Sequence, residues 1–268
     1  MEFQGASVLI TGGTRGIGLA TARRFLELGA RVTIGGLRRE SVQRAAGGLR
    51  RESVQRAAGE LDAGDRLAQV VADVSHAEGC RATVAAATEA FGGVDLLFAN
   101  AGNYDSVPLE EVTEEFWDRT LATHLKGLFF CVQAALPALR SSRGAVVAMA
   151  SDAGVAGLRG GWAAYCAAKG GVVNLVRQLA LDLAPEIRVN CIAAGPVATE
   201  HLFHDLADGS YGGIGGVDDP AKALAGTLPL RQLITPDEVA DAVVFLAASR
   251  SMTGAALSLD AGTTAGLP

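Results

Sequence analysis

A chain of 268 residues, 49% of them hydrophobic, is long enough to bury one large core and reads as a single domain spanning residues 1–268. The formal net charge of -6 leaves no basic field for nucleic acid or an anionic membrane. Met1 to Gly12 carries no basic region ahead of a long apolar run, and no stretch approaches the roughly 18 apolar residues of a spanning helix, so a cytoplasmic protein with neither partner is expected.

In chain order, short apolar β-type runs alternate with longer stretches of helical periodicity. Strands fit Ser7–Thr11, Arg31–Ile34, Leu67–Val71, Leu96–Ala99, Ala145–Ala150, Arg188–Ala193 and Ala256–Leu259. Helical spacing of apolar residues marks segments such as Gly18–Leu28, Glu115–Leu136, Ala163–Leu183 and Pro236–Ala247. This alternation predicts an α/β fold: a Rossmann-type, doubly wound parallel sheet of about seven strands with helices on both faces. Within it, Gly36–Gly47 (GLRRESVQRAAG) is repeated letter for letter as Gly48–Gly59. A single twelve-residue copy is too short for a repeat architecture, so one copy is expected to form the helix after the second strand and the other a surface excursion.

Directly after the first strand comes Thr11-Gly12-Gly13-Thr14-Arg15-Gly16-Ile17-Gly18, leading into a helix. Glycines there let the backbone turn sharply and approach a pyrophosphate, whose charge meets the helix N-terminal amides. Tyr165 and Lys169 stand four apart in a helical stretch and share a face. A free phenol, with a pKa near 10, is too weakly acidic to serve as a base at neutral pH, and an adjacent ammonium would lower that pKa. Ser151, fourteen positions earlier, adds a hydroxyl just past a strand end, where open α/β sheets bind ligands. The four cysteines (Cys80, Cys131, Cys166, Cys191) lack Cys-x-x-Cys spacing and read as reduced packing residues. The four histidines have no ligand cluster around them, and no metal is expected.

With these motifs in order, the chain resembles the short-chain dehydrogenase/reductase family in its compact form, from the Thr11–Gly18 turn to Asp260-Ala261-Gly262. The resemblance implies a nicotinamide-dependent ketoreductase or secondary-alcohol dehydrogenase. Gly12, Gly16 and Gly18, with Thr14, Arg15 and Ile17 of the same turn, would line the pyrophosphate. Asp73 and Val74 would touch the adenine, and Asn100, Ala101 and Gly102 would support the sheet beside the cofactor. Ser151 would polarise the carbonyl, Tyr165 would exchange the proton, and Lys169 would bind the ribose and lower the Tyr165 pKa. After Gly195, Pro196, Val197 and Thr199 would hold the carboxamide.

The departures from the family pattern are informative. His124 falls where the family places a catalytic Asn, and is expected to hold a relay water or to carry protons itself. It also keeps dehydration or epimerisation on the same fold in view; a nucleotide-binding regulatory module is a further alternative, against which the intact Ser151, Tyr165 and Lys169 argue. Ala99, Ala194 and Ala261 replace Asn, Pro and Gly without removing a reacting group. Family members preferring NAD(H) end the second strand with Asp, whereas this chain has Gly36 followed by Leu37, Arg38 and Arg39. An arginine fork suits a phosphate dianion, so NADP(H) is favoured over NAD(H). Residues 200–228 read as a polar lid over the substrate, with Leu158 and Trp162 lining the pocket beside it. A small-molecule carbonyl or alcohol is the expected partner, and the apolar long helices predict a homotetramer or dimer.

Overall fold

A computed structural model describes residues 3–43, 63–211, 214 and 217–266. Seven parallel strands form one sheet in the order β3-β2-β1-β4-β5-β6-β7. They are β1 (Ser7–Thr11), β2 (Arg31–Gly36), β3 (Leu67–Val71), β4 (Leu96–Ala99), β5 (Ala145–Met149), β6 (Arg188–Ala194) and β7 (Ala256–Leu259). Strand order reverses at β1, which pairs with β2 on one side, Val8 opposite Val32, and with β4 on the other, Val8 opposite Leu96. The crevice at that reversal is where open α/β sheets take their ligands.

Side chains alternate across each strand, so both faces need cover. Val8 and Ile10 of β1, Leu96 and Phe98 of β4, and Ala145 and Val147 of β5 enter one core with Phe25, Val239 and Val243. Leu9, Leu97, Val146 and Ala148 enter the other core with Val84, Leu128, Val132, Val172 and Val176. The first face is covered by α1 (Gly16–Glu27) and by the helix Pro236–Ala248; the second by α2 (Ala77–Phe91) and the helices Gly127–Ser142 and Ala163–Leu183. Phe25 and Phe98 are fully buried, each contributing roughly 1.5–3 kcal/mol from burial.

After α3 (Glu114–Leu121) the chain makes a π-helical turn at Ala122–Lys126 and continues as α4 (Gly127–Ser142). The expected continuous helix over 115–136 is thus two α-segments joined by a wider turn. Beyond it lie α5 (Ala163–Leu183), α6 (Glu200–Asp208), α7 (Pro220–Thr227) and α8 (Pro236–Ala248). Helix α5 has the bounds its periodicity predicts, whereas α2 was not among the helices singled out from sequence. Among the described residues, four of the eight α-helices start with a side-chain cap. Thr235 and Glu238 form a capping box on α8, while Thr113, Thr199 and Asp219 each accept a first-turn amide hydrogen bond. The first duplicated copy enters a helical turn at Arg39–Gln43; the fate expected for the rest of the repeat lies outside the described residues. Among the described residues, no helix is long and apolar enough to cross a membrane.

Candidate active site

Helix α1 is among the helices that begin without a side-chain cap, as α2 and α5 also do. Arg15 occupies its N-cap in an extended conformation without a side-chain hydrogen bond, and its first turn holds no acidic residue. Its leading amides are left for an outside anion. The preceding turn depends on its glycines: Gly12 and Gly16 have φ of +65° and +50°, and a Cβ on Gly12 would lie 2.8 Å from Ala101 Cα. A Cβ on Gly18 would collide with the Gly12 carbonyl. Asn100 braces the same turn, donating from Nδ2 to the Thr11 and Gly12 carbonyls at 3.1 Å each, while the Asn100 and Ala101 amides donate to Thr11 Oγ1 at 3.0 Å. A close, uncapped, rigidly supported backbone cradle of this kind fits a dinucleotide pyrophosphate.

The other cofactor candidates leave the same carboxyl edge of the sheet. Gly36 ends β2, with Arg38 and Arg39 exposed just beyond it, and a Cβ on Gly36 would stand 2.5 Å from Thr14 Cγ2. Asp73 and Val74 follow β3, and the Asp73 carboxylate accepts the Ser75 amide at 2.9 Å. Pro196, Val197 and Thr199 follow β6; Val197 bridges to Ile234, and Thr199 caps α6 with its methyl facing Gly16. Ile17, whose carbonyl accepts from Thr21, packs partly into the core.

Ser151 leaves β5 as the cap of a short 3-10 turn and is buried. Its hydroxyl donates to Asp152 Oδ1 at 2.8 Å and accepts from the Ala153 amide at 3.2 Å. Tyr165 and Lys169 lie one turn apart on α5, with Lys169 Nζ 5.5 Å from the Tyr165 ring centroid. The ammonium donates to the Met149 carbonyl at 2.7 Å. Burial pushes Lys169 down to about 7. Burial likewise pushes the Tyr165 phenol well above its ordinary value, with the Ser151 hydroxyl pulling the other way and the Asp152 charge adding to the rise. The expectation that Lys169 depresses the Tyr165 pKa is therefore not met here. Desolvation outweighs charge, and the ammonium is turned toward a backbone carbonyl.

His124 sits in the π-turn, buried, with its ring edge-on to Tyr165 at a centroid distance of 5.4 Å. Its Nε2 lies 2.6 Å from the Asn103 carbonyl, which can only accept, so Nε2 carries the proton. Nδ1 is buried with no hydrogen-bond partner among the described residues. Burial, with Lys169 nearby, pushes the imidazole down to about 3. The ring is neutral at physiological pH, so the expectation that it carries protons there does not hold; a hydrogen-bonding role is compatible. Gly102 has to be glycine for the same reason, since a Cβ would collide with the His124 ring and stand 2.7 Å from Nδ1.

Four aromatic rings close over this centre. Trp162 contacts Tyr165 at 5.9 Å and Tyr211 at 5.6 Å, and Tyr104 contacts His201 at 4.6 Å. The expected lid contains α6 and α7, joined through a small apolar cluster of Leu202, Leu206 and Leu224. Leu158 and Trp162 line an open cavity of about 360 Å³ with Leu109 and Cys166. Sequence reasoning missed Asp152, Tyr104 and Asn103; the last acts through its backbone carbonyl, which leaves no mark in a residue pattern.

These features define a short-chain dehydrogenase/reductase, and the chain belongs to that family. Residues 12–264 match the family model described as enoyl-(acyl carrier protein) reductase. Cis-2,3-dihydrobiphenyl-2,3-diol dehydrogenase of Paraburkholderia xenovorans is 34% identical over 274 residues, covering 98% of this chain and 92% of that protein. The crystal structure of a short-chain dehydrogenase/reductase, glucose/ribitol dehydrogenase, from Brucella melitensis is 32% identical, covers 97% of each chain and superposes with a TM-score of 0.84. An NADPH-bound short-chain oxidoreductase of Pseudomonas aeruginosa PAO1, described as containing an atypical catalytic center, is 30% identical, covers 98% of each chain and has a TM-score of 0.85. The protein is a nicotinamide-dependent oxidoreductase of alcohol and carbonyl groups.

Proposed function

We propose that the protein is an NADP(H)-dependent ketoreductase or secondary-alcohol dehydrogenase in which Tyr165 exchanges the proton with the substrate oxygen. The observation that supports this reading is the grouping of Ser151, Tyr165 and Lys169, with Lys169 Nζ 5.5 Å from the Tyr165 ring and the Ser151 hydroxyl acting on the Tyr165 phenol, in a chain whose first helix begins with an uncapped glycine turn. When bound, the nicotinamide ring gives or takes the hydride. Tyr165, held as a phenol by burial, is ready to protonate a developing alkoxide; in the reverse direction it must first lose that proton. Ser151 orients the substrate oxygen against Tyr165. Lys169 would hold the ribose, and the neutral His124 keeps the Asn103 loop against the Tyr165 ring.

NADP(H) is the preferred cofactor on this reading. Gly36 offers no carboxylate to repel a 2′-phosphate, a side chain there would strike Thr14, and Arg38 and Arg39 follow on the surface. The enzyme works in the cytoplasm as a homo-oligomer, a tetramer or a dimer, on a small molecule admitted beneath residues 200–228.

The test is turnover of NADPH and, separately, NADH over a panel of ketones, with Tyr165→Phe as control. NADPH oxidation that falls at least about a thousandfold in Tyr165→Phe supports the assignment, general acid–base contributions being roughly 10²–10⁴-fold. Turnover with NADH alone would overturn the cofactor choice, and a fully active Tyr165→Phe would overturn the role of Tyr165.

A further inference from the structure

Helix α6 carries a group of metal-ligating side chains that the reaction described above does not use. His201, His204, Asp205 and Asp208 give it the pattern His-x-x-His-Asp-x-x-Asp, so Asp205 stands one turn after His201 and Asp208 one turn after His204. His204 Nδ1 lies 3.4 Å from Asp205 Oδ1 and 3.3 Å from Asp208 Oδ2, and one ligand atom from each of these three residues lies within 4.8 Å of the others. The expectation that no ligand cluster surrounds the histidines therefore does not hold for His204. Adjacent residues point about 100° apart around a helix, so the approach of Asp205 to His204 is not visible in their spacing.

The separations are those of atoms sharing one ion. Zinc bound tetrahedrally to nitrogen and oxygen at about 2.0–2.2 Å sets its ligand atoms roughly 3.3–3.6 Å apart, whereas an N–H···O hydrogen bond centres near about 2.9 Å. Two further observations favour an ion over a solvated group of charges. The Asp205 side chain is only 13% exposed, yet among the described residues neither it nor Asp208 pairs with a lysine or arginine; the imidazoles are their only cationic partners. A carboxylate so far withdrawn from water calls for a cation or for hydrogen-bond donors. His201 Nε2, for its part, is buried with no hydrogen-bond partner among the described residues and stands 3.6 Å from Asp205 Oδ2, beyond hydrogen-bond reach. The Ser210 amide meanwhile donates to Asp208 Oδ1 at 2.9 Å, which leaves Oδ2 turned toward His204.

We propose that His204, Asp205 and Asp208 bind one divalent transition-metal ion on the exposed side of α6, with His201 closing on Asp205 from the preceding turn to fix its carboxylate. Imidazole combined with carboxylate suits zinc, cobalt, nickel or copper, whereas magnesium and calcium favour oxygen ligands alone. The ion takes no part in hydride transfer. It ties together the last two turns of the lid helix, and the proposal is independent of the role of Tyr165.

The test titrates Zn2+ into the untagged full-length protein, stripped with EDTA and dialysed, by isothermal calorimetry, and records thermal melting with and without the ion. The wild type is expected to bind one equivalent and to melt at a higher temperature when loaded. His204→Ala and Asp208→Asn should each weaken binding at least about tenfold, since loss of a supporting partner alone costs roughly 10–100-fold, and should lose the melting shift. His76→Ala is the control: His76 is exposed and pairs with Asp73 at 3.5 Å, but has no third ligand among the described residues, so its removal should leave binding unchanged. His204 and Asp208 are both exposed, and melting in EDTA shows whether each variant folds; if one does not, the other decides. A wild type without saturable binding, binding that survives in the folded lid variants, or binding lost equally in His76→Ala overturns the proposal. None of these outcomes bears on NADPH turnover or on Tyr165→Phe.

Discussion

Lys169 carries an ammonium into a site where it is 4% exposed and where its one hydrogen-bond acceptor is the neutral Met149 carbonyl. Its pKa, about 7 in the fold against 10.5 for a free lysine, means that protonation opposes folding. The penalty is complete below pH 7 and is relieved as pH rises from 7 toward 10.5. Lys169→Met, which keeps the stem and removes the charge, should therefore be more stable than wild type at pH 6 by on the order of a few kcal/mol, and lose that advantage by pH 10, where the unpaired Met149 carbonyl costs roughly 1 kcal/mol. Thermal unfolding at the two pH values checks this, and an advantage that grew with pH would contradict it. The raised Tyr165 phenol sets the activity in a complementary way. Ketone reduction, which uses the phenol, should hold through neutral pH and decline only in the alkaline range; alcohol oxidation, which uses the phenolate, should climb across that range. His124, pushed down to about 3, should contribute no inflection, and its ring resonances should not titrate between about pH 5 and 8 by NMR. Ser151, Tyr165 and Lys169 were singled out by their spacing taken together with the family resemblance. Their protonation states were not legible there, because those follow from burial.

At the scale of elements, the strands were readable because a sheet buried on both faces demands continuous apolar runs, as in Val8–Ile10 and Val146–Ala148. Helix α2 announced itself less clearly, since AEGCRATVAAATEAF is rich in alanine and threonine and buries only Cys80, Thr83, Val84 and Ala87. The glycine turn stood out in the sequence, but its bracing by Thr11 and Asn100, 89 positions apart, is a property of the β1–β4 pairing. The end of β2 offers a direct test of how element geometry sets cofactor choice. Gly36→Asp introduces a carboxylate where the 2′-phosphate would lie and a Cβ 2.5 Å from Thr14 and 2.9 Å from Val42. The expected outcome is at least a tenfold fall in kcat/KM for NADPH relative to NADH, with roughly 1–3 kcal/mol lost to overpacking. An unchanged cofactor ratio would mean that residues other than Gly36 decide it.

For the whole molecule, the sheet and its two cores leave several large apolar side chains outside. Phe129 on α4, Leu181 on α5 and Phe245 on α8 are 39%, 78% and 53% exposed. Scattered apolar residues are common on monomers, but three on three sheet-covering helices fit surfaces that another subunit covers. Light scattering should find a mass several times that of one chain, and Phe129→Glu combined with Leu181→Glu should lower it; a wild-type monomer would end the oligomer reading. The single domain and its class were legible from strand and helix alternation.

The π-turn at Ala122–Lys126 makes the site sensitive to something composition does not record. A helix turns about 100° per residue, so the residue aimed at Tyr165 is chosen by how many residues precede it. Losing one residue from that turn would straighten α3 into α4 and swing His124 off the Tyr165 ring, presenting a neighbour in its place. Along this stretch, a change in chain length by one would re-specify the chemistry of the centre as thoroughly as a substitution, while leaving every residue type in the motif untouched.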